Sequence, residues 1–345
     1  MVFTEINPDR VDQAHFQNEL DPFLPDVMFD AHVHVWKKEH RGAPVYLQRG
    51  EDWPERIEIE NTAEMVSRDY AKLFPGRKLE ALVFGWVGAD VDIDANNRYV
   101  GEVVRSNPGW HGLAVVDPSW SREKTEQVIE ENGLDGMKPY ITFADSSIPT
   151  GDITIFDILS HPQWELANEK NYVCTLHLPR AGRLPDPKNI EQLLEIEEKY
   201  PQARVIVAHI GRCYSNEDLG DAMEKLRGTK NMCFDFSGNT NPYVIRRALE
   251  TFGPDRVLYG SDLPISHIHL KRIYENGHYV NLIRPQERPQ INEAPYMRPM
   301  PDADRYTFFL YETVLAFRQA AMELGLTTQE IQNVMFGNAR RLLKR

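Results

Sequence analysis

His32 and His34 stand two residues apart in Phe29-Asp30-Ala31-His32-Val33-His34-Val35-Trp36. Val27, Phe29, Val33 and Val35 give this stretch strand character, and no helical apolar stripe fits it. Residues two apart in a strand project to the same side, roughly 6.5–7 Å apart along the chain. Both imidazoles can therefore grip one ion, and imidazole suits zinc and other first-row metals. The spacing alone reads equally well as two histidines on a polar strand face, so the rest of the chain must decide. Four more polar residues interrupt apolar runs shortly before a breaker or loop: Lys138, His177, His209 and Asp262. Two histidines, a third histidine and a carboxylate form a donor set for one divalent ion, with a position left open for water or substrate.

Those residues meet only if the elements carrying them converge. Apolar runs at about 27–35, 79–87, 113–116, 134–141, 172–178, 204–210, 232–237 and 256–262 read as buried strands. Helical patterns lie between them: 62–73 with Thr62 as N-cap, 96–106, 121–132 capped by Ser121 and closed by Gly133, 162–170, 189–200, 218–227 and 242–252. Helices over 306–324 and 328–343 end the chain. Continuous apolar strands with helical crossovers call for a parallel sheet, and eight such units close as a (β/α)8 TIM barrel of the α/β class. In a barrel the C-terminal strand ends share one mouth, which is where the six polar residues fall. An open doubly wound sheet is the rival, but it would usually show a glycine-rich turn after strand one. Residues 1–26 read as a polar N-terminal arm over a 27–345 barrel domain. The stretches 37–60, 142–152 and 263–305 read as long loops at the mouth. Trp36 and Trp86 read as packing, and His267 and His269 as a loop or lid feature.

The 345 residues leave ample length for a core, and the formal net charge of −13 argues against nucleic acid and anionic membranes as partners. No run of eighteen apolar residues marks a membrane span. The first twenty residues lack the basic and apolar regions of a secretory signal. Cys174, Cys213 and Cys233 are scattered and read as reduced thiols of a cytoplasmic protein. A small molecule is the expected partner, and a homodimer is compatible with the length of the 263–305 connection.

Four motifs in this order resemble the amidohydrolase superfamily: Phe29-Asp-Ala-His-Val-His34, Thr175-Leu-His-Leu178, Val207-Ala-His-Ile-Gly-Arg212 and Tyr259-Gly-Ser-Asp-Leu-Pro264. They are more closely similar to the amidohydrolase-related branch that includes aminocarboxymuconate semialdehyde decarboxylase. Phe336-Gly-Asn-Ala-Arg-Arg-Leu-Leu343 resembles the closing helix of that branch. The resemblance implies that His32, His34, His177 and Asp262 hold one divalent metal ion, with Zn2+ favoured, and that His209 acts on the attacking water or on substrate. Asp262 is also a catalytic candidate, placed to shuttle a proton to the leaving group. Lys138 stands near the lysine that bridges two ions in some members, but Gly136-Met-Lys-Pro-Tyr140 departs from their pattern. One metal is therefore expected, with Lys138 free to pair with a substrate carboxylate. Arg180 and Arg212 follow their strands and are candidates to bind a carboxylate bidentately. The leading expectation is hydrolysis of an ester, lactone or amide in a small polar molecule. Non-oxidative decarboxylation of an aromatic or unsaturated acid is the alternative, and a non-catalytic barrel the third.

Overall fold

The computed structural model describes residues 6–42, 57–285, 289–293, 296–302 and 305–344. Eight parallel strands run in sequential order around a barrel. They are β1 Val27–His34, β2 Lys78–Phe84, β3 His111–Val115, β4 Gly136–Lys138, β5 Val173–Leu176, β6 Arg204–Val207, β7 Met232–Asp235 and β8 Val257–Leu258. The ladder from β8 back to β1 is carried past the end of β8. Ala31 N–H donates to the Tyr259 carbonyl at 2.9 Å, Asp262 N–H to His32 at 2.8 Å and His34 N–H to Leu263 at 2.9 Å. The (β/α)8 barrel read from the sequence is the fold observed.

The helices form the outer layer, and their ends follow the caps in the sequence. Thr62 accepts from Met65 N–H ahead of helix Ala63–Leu73, and Ser121 accepts from Lys124 N–H ahead of Arg122–Asn132, which Gly133 closes in the left-handed region. The helix expected over 218–227 is shorter, Ala222–Leu226. Asp218 is drawn out of it, because its carboxylate accepts from Tyr214 and Ser215 N–H and pairs with Arg183. The closing helix starts at a capping box between Thr327 and Glu330, passes through a π turn at Asn333–Gly337 and ends as Asn338–Leu343. Ala339 and Leu343 pack with Phe29, Ala31, Leu82 and Leu258 inside the barrel, so this helix plugs the end away from the mouth. Asn338 fixes it by donating to the carbonyls of Pro254 and Val257.

Two segments are more ordered than their composition suggests. The arm forms a helix, Arg10–His15, capped by Asp9. The 263–305 connection builds a second sheet of three strands, β9 Leu270–Glu275, β10 His278–Ile283 and β11 Met297–Pro299. Strands β9 and β10 are a hairpin turning at Asn276 and Gly277, both at positive φ, as a two-residue hairpin loop requires. Arm and second sheet are tied at a buried contact: Asp12 meets His269 Nε2 at 2.8 Å and also accepts from the N–H groups of Asp9 and Phe308. His267 lies 3.3 Å from Asp69. The His267/His269 pair thus buttresses the fold. Of the first mouth loop, residues 43–56 lie outside the described residues. No helix among the described residues is long and apolar enough to cross a membrane.

Candidate active site

Strand alternation alone would send His32 and His34 the wrong way. Phe29 and Ala31 point into the barrel, so strict alternation would put Val33 inside next. A register irregularity between Asp30 and Val33 shifts the parity. Val33 and Val35 then join the outer layer, and both histidines turn to the mouth. Asp30 holds this kink from the outer side. Its buried carboxylate accepts from the N–H groups of His32 and Ser261 and from the Tyr70 hydroxyl. At Gly260 the two segments come so close that an added Cβ would lie 2.9 Å from that of His32, which excludes a side chain there.

His32, His34, Lys138, His177, His209, Arg212 and Asp262 all line one cavity of about 340 Å³ at the mouth. The Nε2 atoms of His32 and His34 lie 3.6 and 3.7 Å from Asp262 Oδ1. Two ligands bound at the usual zinc distances would stand roughly 3.3 Å apart, so these three atoms need little movement to share an ion. Each of three imidazoles has its Nδ1 on an acceptor: His32 on Asp235 at 3.0 Å, His34 on the Gly85 carbonyl at 3.3 Å, and His209 on the Ser237 carbonyl at 3.0 Å. Nδ1 therefore carries the proton and Nε2 keeps its lone pair. Burial pushes His32, His34 and His177 well below the ordinary histidine range and His209 down to about 3, so all four are neutral at pH 7.

His177 sits beside this group, its ring 5.4 Å from that of His209 and 5.1 Å from that of Tyr140. Its Nδ1 is buried without a hydrogen-bond partner among the described residues, and so is Lys138 Nζ. Lys138 is fully buried with its ammonium 4.5 Å from the Phe84 ring. Burial pulls it down to about 8, against the attraction of Asp235 and Asp262. Burial likewise lifts Asp262 to about 8, against Lys138. Two orphaned nitrogens beside a carboxylate pressed toward its neutral form are the signs of a pocket built around a charge. Neutral imidazoles and one carboxylate suit a divalent cation, which would hold Asp262 ionised.

The backbone here is strained where the chemistry is. His209, Ile210, Gly211 and Arg212 all have positive φ, from +49° to +66°, and Asp262 has φ +59°. Non-glycine residues in this region cost of order 1 kcal/mol or more each and cluster at functional sites. Asp235 helps to hold the turn, since its Oδ1 accepts from His209 N–H at 3.0 Å and from Ser237.

One expected residue is not brought in. Arg180, read as a carboxylate binder, is turned onto Asp186 at 3.0 Å and does not line the cavity. Asp186 caps helix Pro187–Lys199, so the ion pair serves that helix end. Arg212 does line the cavity and donates to the carbonyls of Leu178 and Arg180. Trp36 and Trp86 pack on each other with ring centres 4.9 Å apart and also face the cavity. Two residues escaped the sequence reading. Asp235 interrupts Phe234-Asp235-Phe236 near the end of a strand, the same signal that marks His177 and Asp262. Arg272 reaches the cavity from β9, where composition had shown only a loop.

A family model described as "Amidohydrolase" matches residues 29–345. No curated protein matches the sequence. Among solved structures, the chain is similar to amidohydrolase 2 from Bifidobacterium longum subsp. infantis, at 17% identity over 92% of this chain and 99% of that one, with a TM-score of 0.54. It is also similar to a dihydroxybenzoic acid decarboxylase from Polaromonas sp. with bound manganese and an inhibitor, at 15% identity, 92% and 97% coverage and a TM-score of 0.54. A third is a probable 2-pyrone-4,6-dicarboxylic acid hydrolase from Acinetobacter baumannii with citric acid bound, at 16% identity, 92% and 98% coverage and a TM-score of 0.54.

Proposed function

This chain belongs to the amidohydrolase family, and from that premise we propose that it is a metal-dependent hydrolase of an ester, lactone or amide bond in a small, carboxylate-bearing molecule. One observation carries the reading: imidazoles with free Nε2 lone pairs gather with Asp262 beneath a cavity walled by aromatic rings and cations. His32, His34, His177 and Asp262 hold one divalent ion, for which zinc suits the donors and manganese is the ion bound in the Polaromonas structure. When bound, the ion supplies Lewis-acid charge and brings the pKa of water to about 7.

The chain's own residues do the rest. His209, neutral and fixed through Nδ1 by the Ser237 carbonyl, accepts the proton of the attacking water at Nε2. Asp262 lies within reach of the same space and passes that same proton from His209 to the leaving group. Lys138 and Arg212 draw in the substrate carboxylate, and Trp36, Trp86 and Tyr140 flank a flat body and exclude water.

Decarboxylation is the second reading, favoured by the flat aromatic walls and by the decarboxylase among the similar structures. It requires a proton donor to carbon, whereas His209 presents a lone pair, which favours hydrolysis. The test is metal content on purified protein, followed by a panel of lactones, esters and amides beside aromatic acids assayed for CO2. The expected result is hydrolysis that a chelator abolishes and zinc or manganese restores. CO2 release without hydrolytic turnover would overturn the hydrolase, and full activity in metal-free protein would overturn the metal.

A further inference from the structure

Arg272 belongs to the second sheet, yet its guanidinium enters the barrel mouth. Its carbon centre lies 4.2 Å from the Tyr214 ring, 4.6 Å from Tyr279 and 4.8 Å from Phe309. Nε donates to Asn281 Oδ1 at 2.9 Å and Nη1 to the Gly238 carbonyl at 2.7 Å. The planar group is thus held by three rings and two hydrogen bonds. Among the described residues Nη2 has no partner, and no carboxylate lies within ion-pair distance of the guanidinium. The same lack of a carboxylate partner holds for Lys138 and Arg212. Four arginines outside the cavity differ: Arg41 pairs with Asp90, Arg180 with Asp186, Arg183 with Asp218 and Arg284 with Asp9.

The chain carries 52 acidic residues against 39 lysines and arginines. Three unpaired cations around one cavity, with Asp262 as the carboxylate lining it, reverse that balance locally. A monoacid seated against Lys138 would leave Arg272 uncompensated. Arg212 already spends Nη1 on two carbonyls, whereas Arg272 keeps an open nitrogen on a group already fixed in place. A fixed guanidinium loses little freedom on binding, and its fork matches a planar carboxylate.

We propose that the substrate is a dicarboxylic acid, and that Arg272 is the specificity residue that holds its second carboxylate. This rests on the reading of the cavity as a small-acid active site and deepens it.

The test is calorimetry on the metal-loaded full chain with matched probes: isophthalate against benzoate, and the flexible pair glutarate against butyrate. At least one diacid binds about tenfold to a hundredfold tighter than its monoacid, the span expected of an added charge-assisted contact. In Arg272→Met that preference disappears while monoacid affinity is retained, and Arg272→Lys is intermediate. The melting temperature of each variant is the control for a damaged fold. Equal binding of diacids and monoacids by the wild type overturns the proposal. So does a preference that survives in Arg272→Met, or a uniform loss of both classes, which would make Arg272 a shaping residue. Repeating the titration on chelated protein separates the two claims. A diacid preference that persists alongside full turnover without metal would defeat the metal-dependent reading and leave the role of Arg272 standing.

Discussion

Replacing Asp235 by asparagine isolates what a buried carboxylate does for the imidazole it holds. Oδ1 accepts from His209 N–H, Ser237 N–H and the Ser237 hydroxyl, while Oδ2 faces His32 Nδ1 at 3.0 Å. In Asp235→Asn the amide oxygen must stay with the three donors, because turning the NH2 to them would oppose donor to donor. The NH2 then faces His32, whose Nδ1 must become an acceptor, and the proton moves to Nε2. A protonated Nε2 has no lone pair for an ion. Loss of such a supporting carboxylate typically weakens metal affinity or activity about 10- to 100-fold, which is about 1.4–2.8 kcal/mol. Metal affinity is read by competition with a chromogenic chelator, beside kcat/KM and the melting temperature of metal-free protein. The expected outcome is metal binding at least tenfold weaker with the metal-free fold largely intact. Unchanged affinity in the folded variant would refute the tautomer argument. Asp235→Ala is the poorer variant, since it strands four buried donors, those three and His32 Nδ1–H, at about 1–3 kcal/mol each.

Lys138→Met exchanges a fully buried ammonium without a hydrogen-bond partner for an apolar side chain of similar length. It is expected to raise stability by about 1–4 kcal/mol while cutting kcat/KM at least tenfold, as seen in denaturant unfolding and kinetics. In metal-free wild type the folded Lys138 titrates near 8 rather than 10.5. Its destabilising effect is full below pH 8 and is relieved as pH rises to 10.5, so stability should climb relative to Lys138→Met across that window; parallel pH–stability curves would contradict this. Asp12→Ala breaks the buried link between arm and second sheet and should lower unfolding free energy by about 3–5 kcal/mol, measured with urea. Arg180→Ala removes only a partly exposed ion pair, so a loss under about 1 kcal/mol with unchanged kcat/KM is expected. A large KM increase would return Arg180 to the cavity.

Much of the site is legible in the sequence. Polar residues that break apolar strands near their C-terminal ends had to meet, because parallel strands of a closed barrel share one rim. His32, His34, Lys138, His177, His209 and Asp262 all line the cavity on that logic. Asp235 carries the same mark within Phe234-Asp235-Phe236 and could have been read with them. The hairpin that delivers Arg272 was also signalled, by Asn276-Gly277 between alternating apolar residues, though the surrounding prolines and charges masked it.

The sequence by itself determined the order of elements, their caps and the end of each strand at which chemistry gathers. These are one-dimensional properties, written in periodicity and in the residues that stop a helix or strand. Only the tertiary structure decided which way each side chain faced and what it touched. The shift between Asp30 and Val33 reversed the faces of His32 and His34 relative to Phe29 and Ala31. Asp186 drew Arg180 away, while three aromatic rings from separate elements held Arg272 in place. Orientation depends on partners distant in sequence, and a parity set by one irregular residue has no period to reveal it.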